Sequence, residues 1–320
     1  MPSQANLQGK PGNAPLAEGT QLENYRVLRP IAVGGFSIVY LAHDEKDAPV
    51  VIKEYLPATL ATRAEGEAAP RVAEAEQARF KAGVKSFFEE GRALAHLEHG
   101  NVVRVLNFFR ANETVYMVMR YERGRTLQEH IQNRRGPLEE GWIRSTFAQL
   151  LNGLREVHTG KLLHLDIKPG NVYLRNDGTP LLIDFGAARQ ALSAEDMKRL
   201  PTYTPGFAAP EQHAHRELGP WSDIYAVGAT LYACLAAAAP QPANQRLEKD
   251  ELVPASRAWT GAYSKDLLGI IDWCLKLDAL ERPQSVFALQ KALVGERRSR
   301  SRDARQPLLG RLRGMLRRIT

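Results

Sequence analysis

The chain has 320 residues, 44% hydrophobic and 25% charged, with 25 Gly and 19 Pro, a composition that excludes collagen-like and wholly disordered classes. Cys234 and Cys274, the only cysteines, form no close-spaced pair, so structural zinc and a disulfide framework are not expected, and the longest nearly apolar stretch, 227–239, is short of the roughly 20 residues that cross a bilayer. The formal charge of +7 is local: residues 295–320 hold nine Arg against two acidic residues, while residues 1–294 carry 34 of each sign, so no nucleic-acid-binding body is expected.

Residues 1–23, rich in Gly, Pro, Asn and Gln, have few large apolar side chains to offset the entropy of ordering, and they read as a flexible leader. They lack the apolar core of a signal peptide, and a cytoplasmic location is the expectation. From Tyr25 the pattern changes to short β-type runs, YRVLRPIAV, FSIVYLAHD and APVVIKEYL, divided by Gly34-Gly35 and the polar DEKDA. An Ala- and Glu-rich stretch, 57–76, leads into FKAGVKSFFEEGRALAHLEH, where Val84, Phe87, Phe88, Leu94 and Leu97 fit one helix face. NVVRVLNFFR and TVYMVMRY add two strands, so a small lobe of five antiparallel strands and one helix is expected over 24–121. After a joint near 120–124, helical spacing takes over at 142–158, 223–239, 264–277 and 285–294, which predicts a larger, mainly α-helical lobe over 124–294. No fixed-period repeat occurs, which excludes a solenoid.

Four motifs carry chemistry. IAVGGFSIVY, from Ile31 to Tyr40, is a glycine-bearing turn between strands where backbone amides can approach phosphates, although Gly-Gly between strands is more commonly only a hairpin turn. VVIK places Lys53 in an apolar strand; in isolation an exposed face is the better reading, and if buried it needs an anion, with Glu90 or a bound phosphate as candidates. LLHLDIKPGN is far more specific. It brings Asp166, Lys168 and Asn171 into one loop, where a carboxylate orients a hydroxyl and accepts its proton, an ammonium neutralises a transferring phosphoryl group and an amide oxygen holds a metal ion. LLIDFG ends a hydrophobic strand in Asp184, a hard oxygen ligand suited to Mg²⁺.

With TPGFAAPE (204–211), DIYAVG (223–228) and the triplet Glu281, Arg282, Pro283, these motifs occur in an order that resembles the protein kinases of the serine/threonine type, close to those found in bacteria. The resemblance covers about residues 24–294 and implies an α+β, bilobal protein-kinase-like fold acting with ATP and Mg²⁺ or Mn²⁺ on a protein Ser/Thr hydroxyl. It makes Asp166 the catalytic base, pairs Lys53 with the phosphates and Glu90, and gives the metal to Asn171 and Asp184. ATP is expected against Ala32, Gly34, Gly35, Phe36, Ser37, Val39, Val51, Met119, Arg120, Tyr121, Glu122 and Tyr173, and the substrate loop at Thr204 and Glu211. Glu211 is expected to pair with Arg282, and Asp223 to support the catalytic loop.

Departures from that family pattern are informative. Ala32 and Ser37 replace the first and third glycines of the phosphate loop, and Val51 and Tyr173 add bulk above and below the adenine position. Leu165 stands where many kinases carry the arginine that receives a phosphorylated activation loop, so activity without such phosphorylation is expected, although Ser193, Thr202, Tyr203 and Thr204 offer hydroxyls. In the tail, 295–320, PLLGRLRGMLRRIT places Leu308, Leu309, Leu312, Met315, Leu316 and Ile319 within about 120° at about 100° per residue. Such a basic amphipathic helix suits an anionic membrane surface at the inner face, an acidic protein partner, or packing on the kinase body. Two competing functions are a pseudokinase scaffold and a small-molecule phosphotransferase of the aminoglycoside or choline kinase kind, which generally lacks the 204–211 motif.

Overall fold

The computed structural model describes residues 13–185, 189–190 and 203–295. The chain divides into two compact units after Gly124. The first is built on a sheet in the order β1-β2-β3-β4-β6-β5, from β1 (Gln21–Leu22), β2 (Tyr25–Val33), β3 (Ser37–His43), β4 (Pro49–Tyr55), β5 (Val105–Ala111) and β6 (Thr114–Arg120). All its pairings are antiparallel. β3 alternates as a half-buried strand should, with Ile38, Tyr40 and Ala42 inside, whereas β4 and β6 are buried along nearly their whole length because both faces are covered. Helix α1 (Gln77–Ala95) covers one face and buries Phe80, Gly83, Phe87, Gly91 and Leu94; of the predicted face, Val84 and Phe88 are only half-buried.

The expected five strands are six. The added strand, β1, comes from the stretch expected to be a flexible leader: Leu16 and Leu22 are buried at 3% and 1% exposure, and residues 13–23 hydrogen-bond into the sheet. Composition averaged over 1–23 hides two apolar side chains at useful positions; residues 1–12 lie outside the described residues.

β7 (Gly124–Thr126) begins at the division, and the second unit contains the rest of it with α2 (Leu127–Gln132), α3 (Glu140–Thr159), β8 (Leu162–Leu163), β9 (Val172–Arg175), β10 (Pro180–Leu182) and β11 (Arg189–Gln190). Helices α4 (Pro210–His213), α5 (Pro220–Ala236), α6 (Ala243–Glu248), α7 (Ala255–Ala258), α8 (Lys265–Cys274) and α9 (Val286–Val294) follow. The predicted apolar stripe of α3 is buried throughout, at Ile143, Phe147, Leu150, Leu151, Leu154 and Val157. α5 is apolar on nearly every side and forms the centre of this core, packed by α8 and α9. Short ladders β8–β11 and β9–β10 interrupt the helices and hold the loops around 164–171 and 183–185. The tail 296–320, with its amphipathic pattern, lies outside the described residues, as do Gly186, Ser193 and Thr202. No described helix is long and apolar enough to cross a membrane.

Candidate active site

The site in the second unit is built from Asp223, in the first turn of α5. Its carboxylate accepts the backbone N–H of His164 at 2.9 Å and of Leu165 at 2.7 Å, and lies 2.7 Å from His158 Nε2. Burial alone would raise the Asp223 pKa, but the hydrogen bond and charge of His158 and the hydrogen bond from the His164 N–H outweigh it and hold it below the ordinary carboxylate value. The loop is fastened on its other side by Gln212, whose Nε2 donates to the Leu165 carbonyl at 2.9 Å. Leu165 takes a left-handed φ of 62°, uncommon for a branched residue, and these bonds on both its N–H and its carbonyl sustain it. His164 is buried, which lowers its pKa; Nδ1 accepts the Asp166 N–H at 3.3 Å, so Nε2 is the donor to the Ile183 carbonyl at 3.2 Å.

Asp166 stands at the end of this scaffold. Its Oδ2 accepts from Lys168 Nζ at 2.7 Å and Asn171 Nδ2 at 2.9 Å, and its Oδ1 accepts the Thr204 hydroxyl at 2.7 Å. Lys168 Nζ also donates to Thr204 Oγ1 at 2.7 Å, closing a triangle of carboxylate, ammonium and hydroxyl. Asn171 Nδ2 further donates to the Asp166 carbonyl at 2.8 Å, so the amide nitrogen is committed inward and the carbonyl oxygen is the end left to serve as a ligand. Ile183 N–H donates to the Asn171 carbonyl at 3.0 Å, and Val172 pairs with Leu182, so Asn171 and Asp184 share one end of the β9–β10 ladder. Asp184 is exposed at φ 60°. Two hard oxygen donors at one edge fit Mg²⁺, which keeps several waters and takes few protein ligands.

Glu211 and Arg282 are brought together as the sequence predicts, by a fork of 2.8 and 3.0 Å, with Ser222 Oγ donating to Glu211 at 2.7 Å. The remaining Arg282 donors reach the carbonyls of Trp221, Lys276 and Leu277, and its guanidinium lies 5.0 Å from the Tyr225 ring centre, so a nearly fully buried cation is satisfied on every side.

In the first unit Lys53 is buried, at 6% exposure, rather than on an exposed face. Both sides of β4 are covered, and its Nζ lies 5.5 Å from the Phe87 ring centre, one helical turn before the half-buried Glu90 on α1. Val39 pairs with Lys53 and with Ala32, and Val51 with Met119, so these residues follow one another across the sheet. The turn Gly34-Gly35-Phe36 is exposed and closed by Gly34 N–H to the Ser37 carbonyl at 2.9 Å, while Leu56 and Ala58 N–H donate to the carbonyls of Phe36 and Gly35 at 3.0 and 2.8 Å. Arg120 is exposed at the end of β6, with Tyr121 and Glu122 half-buried beyond it and Tyr173 half-buried in β9. Sequence reasoning missed Gln212, which holds the loop, and His158 and Ser222, which hold Asp223 and Glu211; Gln212 and Ser222 adjoin named motif residues, whereas His158 gave no signal.

A family model described as the protein kinase domain matches residues 25–294. Serine/threonine-protein kinase Nek1 of Mus musculus is 29% identical over 280 residues, covering 86% of this chain and 22% of that protein. Serine/threonine-protein kinase PknA of Nostoc sp. is 29% identical over 281 residues, covering 84% of this chain and 46% of that protein. The chain thus spans from a fifth to about half the length of these relatives. A solved structure described as the PpkA-294 apo form shares 32% identity with a TM-score of 0.78, over 87% of this chain and 99% of that one.

Proposed function

The chain belongs to the protein kinase domain family, and from that premise we propose that it is a serine/threonine protein kinase, transferring the γ-phosphoryl group of ATP to a Ser or Thr hydroxyl of a protein substrate. The triangle of Asp166, Lys168 and Thr204 is the observation that carries this reading. Asp166 accepts the proton of the acceptor hydroxyl as it attacks, and Lys168 offsets charge on the transferring group. Lys53 holds the α- and β-phosphates with Glu90 as its partner. Asn171 and Asp184 would hold Mg²⁺, or Mn²⁺ in its place, which neutralises phosphate charge when bound. ATP lies against Ala32, Gly34, Gly35, Phe36, Ser37, Val39, Val51, Met119, Arg120, Tyr121, Glu122 and Tyr173, and Thr204 with Glu211 shapes the substrate loop.

Transfer from labelled ATP to a Ser-rich acceptor tests the reading beside Asp166→Asn, which is expected to lower the rate about 10²- to 10⁴-fold. An Asp166→Asn protein as fast as the wild type would remove the catalytic base and with it the kinase reading. Because Leu165 is buried and apolar, it has no means of binding a phosphate, and transfer is assigned no need of activation-loop phosphorylation. Ser193→Ala/Thr202→Ala is therefore expected to retain transfer in the same assay, and its loss in a folded protein would refute that assignment. Residues 307–320 are assigned to the anionic inner face of a membrane, with an acidic protein partner and packing on the kinase body as the other outcomes of the test given below.

A further inference from the structure

Lys53 and Glu54 are consecutive on β4, both charged and both buried, at 6% and 0% exposure. Successive side chains of a strand leave opposite faces. Lys53 pairs in register with Met117 and faces α1 through Phe87; Glu54 pairs with Tyr116 and Ile38, and its side chain leaves the other face. There its carboxylate accepts four hydrogen bonds: Tyr40 Oη at 2.7 Å and Arg63 Nη2 at 2.7 Å on Oε2, Arg63 Nη1 at 2.5 Å and Tyr116 Oη at 2.8 Å on Oε1. Both charged side chains are wholly buried. Desolvation would lower the Arg63 pKa, but the bonds and charge of Glu54 hold it above the ordinary value; burial and the Glu54 charge raise Tyr40 and Tyr116.

Arg63 also gathers the N-terminal segment 13–14. Its Nε donates to the Ala14 carbonyl at 2.8 Å, its backbone N–H to Asn13 Oδ1 at 2.7 Å, and its carbonyl accepts the Ala14 N–H at 3.1 Å. Leu16 N–H donates to Tyr40 Oη at 3.2 Å. The same 56–63 segment holds the glycine turn through Leu56 and Ala58. A buried ion pair is a weak source of stability, because desolvation offsets its attraction, but a fork with all lone pairs used admits a single geometry.

We propose that Arg63 is a positioning residue for nucleotide: through Glu54 it sets where β4 presents Lys53, and through 56–58 where the glycine turn lies. The inference rests on the reading of Lys53 as the phosphate-binding lysine. The test uses the full chain with Glu54→Gln/Arg63→Met, which removes both charges together so that neither is stranded and leaves an amide whose oxygen can accept from one tyrosine hydroxyl while its nitrogen donates to the other. Melting temperature, kcat, KM for ATP and KM for a protein acceptor are measured beside Lys53→Met. The expected result is a folded double variant whose KM for ATP rises about tenfold or more while KM for the acceptor is unchanged. A folded double variant with unchanged KM for ATP, while Lys53→Met abolishes transfer, overturns the inference alone. Unimpaired transfer by Lys53→Met overturns the reading of Lys53 and the inference with it. If the double variant does not fold, Arg63→Lys decides, since it keeps the charge and loses the fork: a KM for ATP raised about threefold supports the proposal, and an unchanged one overturns it.

Discussion

Thr204 is the residue on which the site's charge balance turns, because one hydroxyl donates to Asp166 and accepts from Lys168. Thr204→Val keeps the side-chain shape and removes both bonds. Hydrogen bonds to charged groups contribute about 1.5–3 kcal/mol each, so kcat is expected to fall about 10- to 100-fold with little change in melting temperature, and Thr204→Ser to restore most of it. Steady-state kinetics with equal melting curves check this; a Val variant as fast as the wild type would show that the triangle does not hold Asp166 for reaction. At this scale the sequence is most legible where a motif is contiguous. Asp166, Lys168 and Asn171 lie within one loop, and their convergence follows from spacing alone. Gln212 and His158 were not legible, because they act on main-chain atoms or a carboxylate far along the chain.

Among the elements, α1 depends on a glycine that propensity would disfavour. A Cβ at Gly83 would lie 1.8 Å from the Tyr55 hydroxyl and 2.5 Å from its ring carbon. Tyr55 is buried between Phe80 and Phe87, and burial raises its pKa to about 12. Gly83→Ala is therefore expected to destabilise by about 1–3 kcal/mol, outweighing the gain in helix propensity, and to lower transfer by displacing the helix that carries Glu90. Gly269, on α8, meets nothing within 4 Å, and Gly269→Ala is expected to stabilise by about 1 kcal/mol. Urea unfolding of both variants gives the comparison, and equal effects would mean that Gly83 has no packing role. Helices α1, α3, α8 and α9 were legible because each buries one stripe, and α5 because its apolar run is continuous. The 57–76 stretch, rich in Ala and Glu, has no such period, and Arg63 within it acts through buried contacts to distant residues that no pattern reports.

For the whole molecule, the charge surplus belongs to residues 295–320, while the rest of the chain is balanced. The basic amphipathic pattern of 307–320 predicts co-sedimentation with vesicles containing anionic lipid, weakened by salt and abolished by deleting those residues, with transfer to a dissolved peptide unchanged. Equal sedimentation of the truncated chain would exclude the membrane and leave the acidic partner or packing on the kinase body. The sequence by itself determined the order of lobes, the helices and the loop of Asp166, Lys168 and Asn171, because periodicity and loop spacing act between near neighbours in the chain, while other site residues were offered by the resemblance of its motifs to a family. The tertiary structure alone decided that residues 13–23 join the sheet, that Lys53 and Glu54 are buried on opposite faces, and that Gln212 fastens the loop before Asp166 from the side opposite Asp223. A polar side chain's burial and partners depend on which distant segment covers it, and local pattern carries no record of that segment.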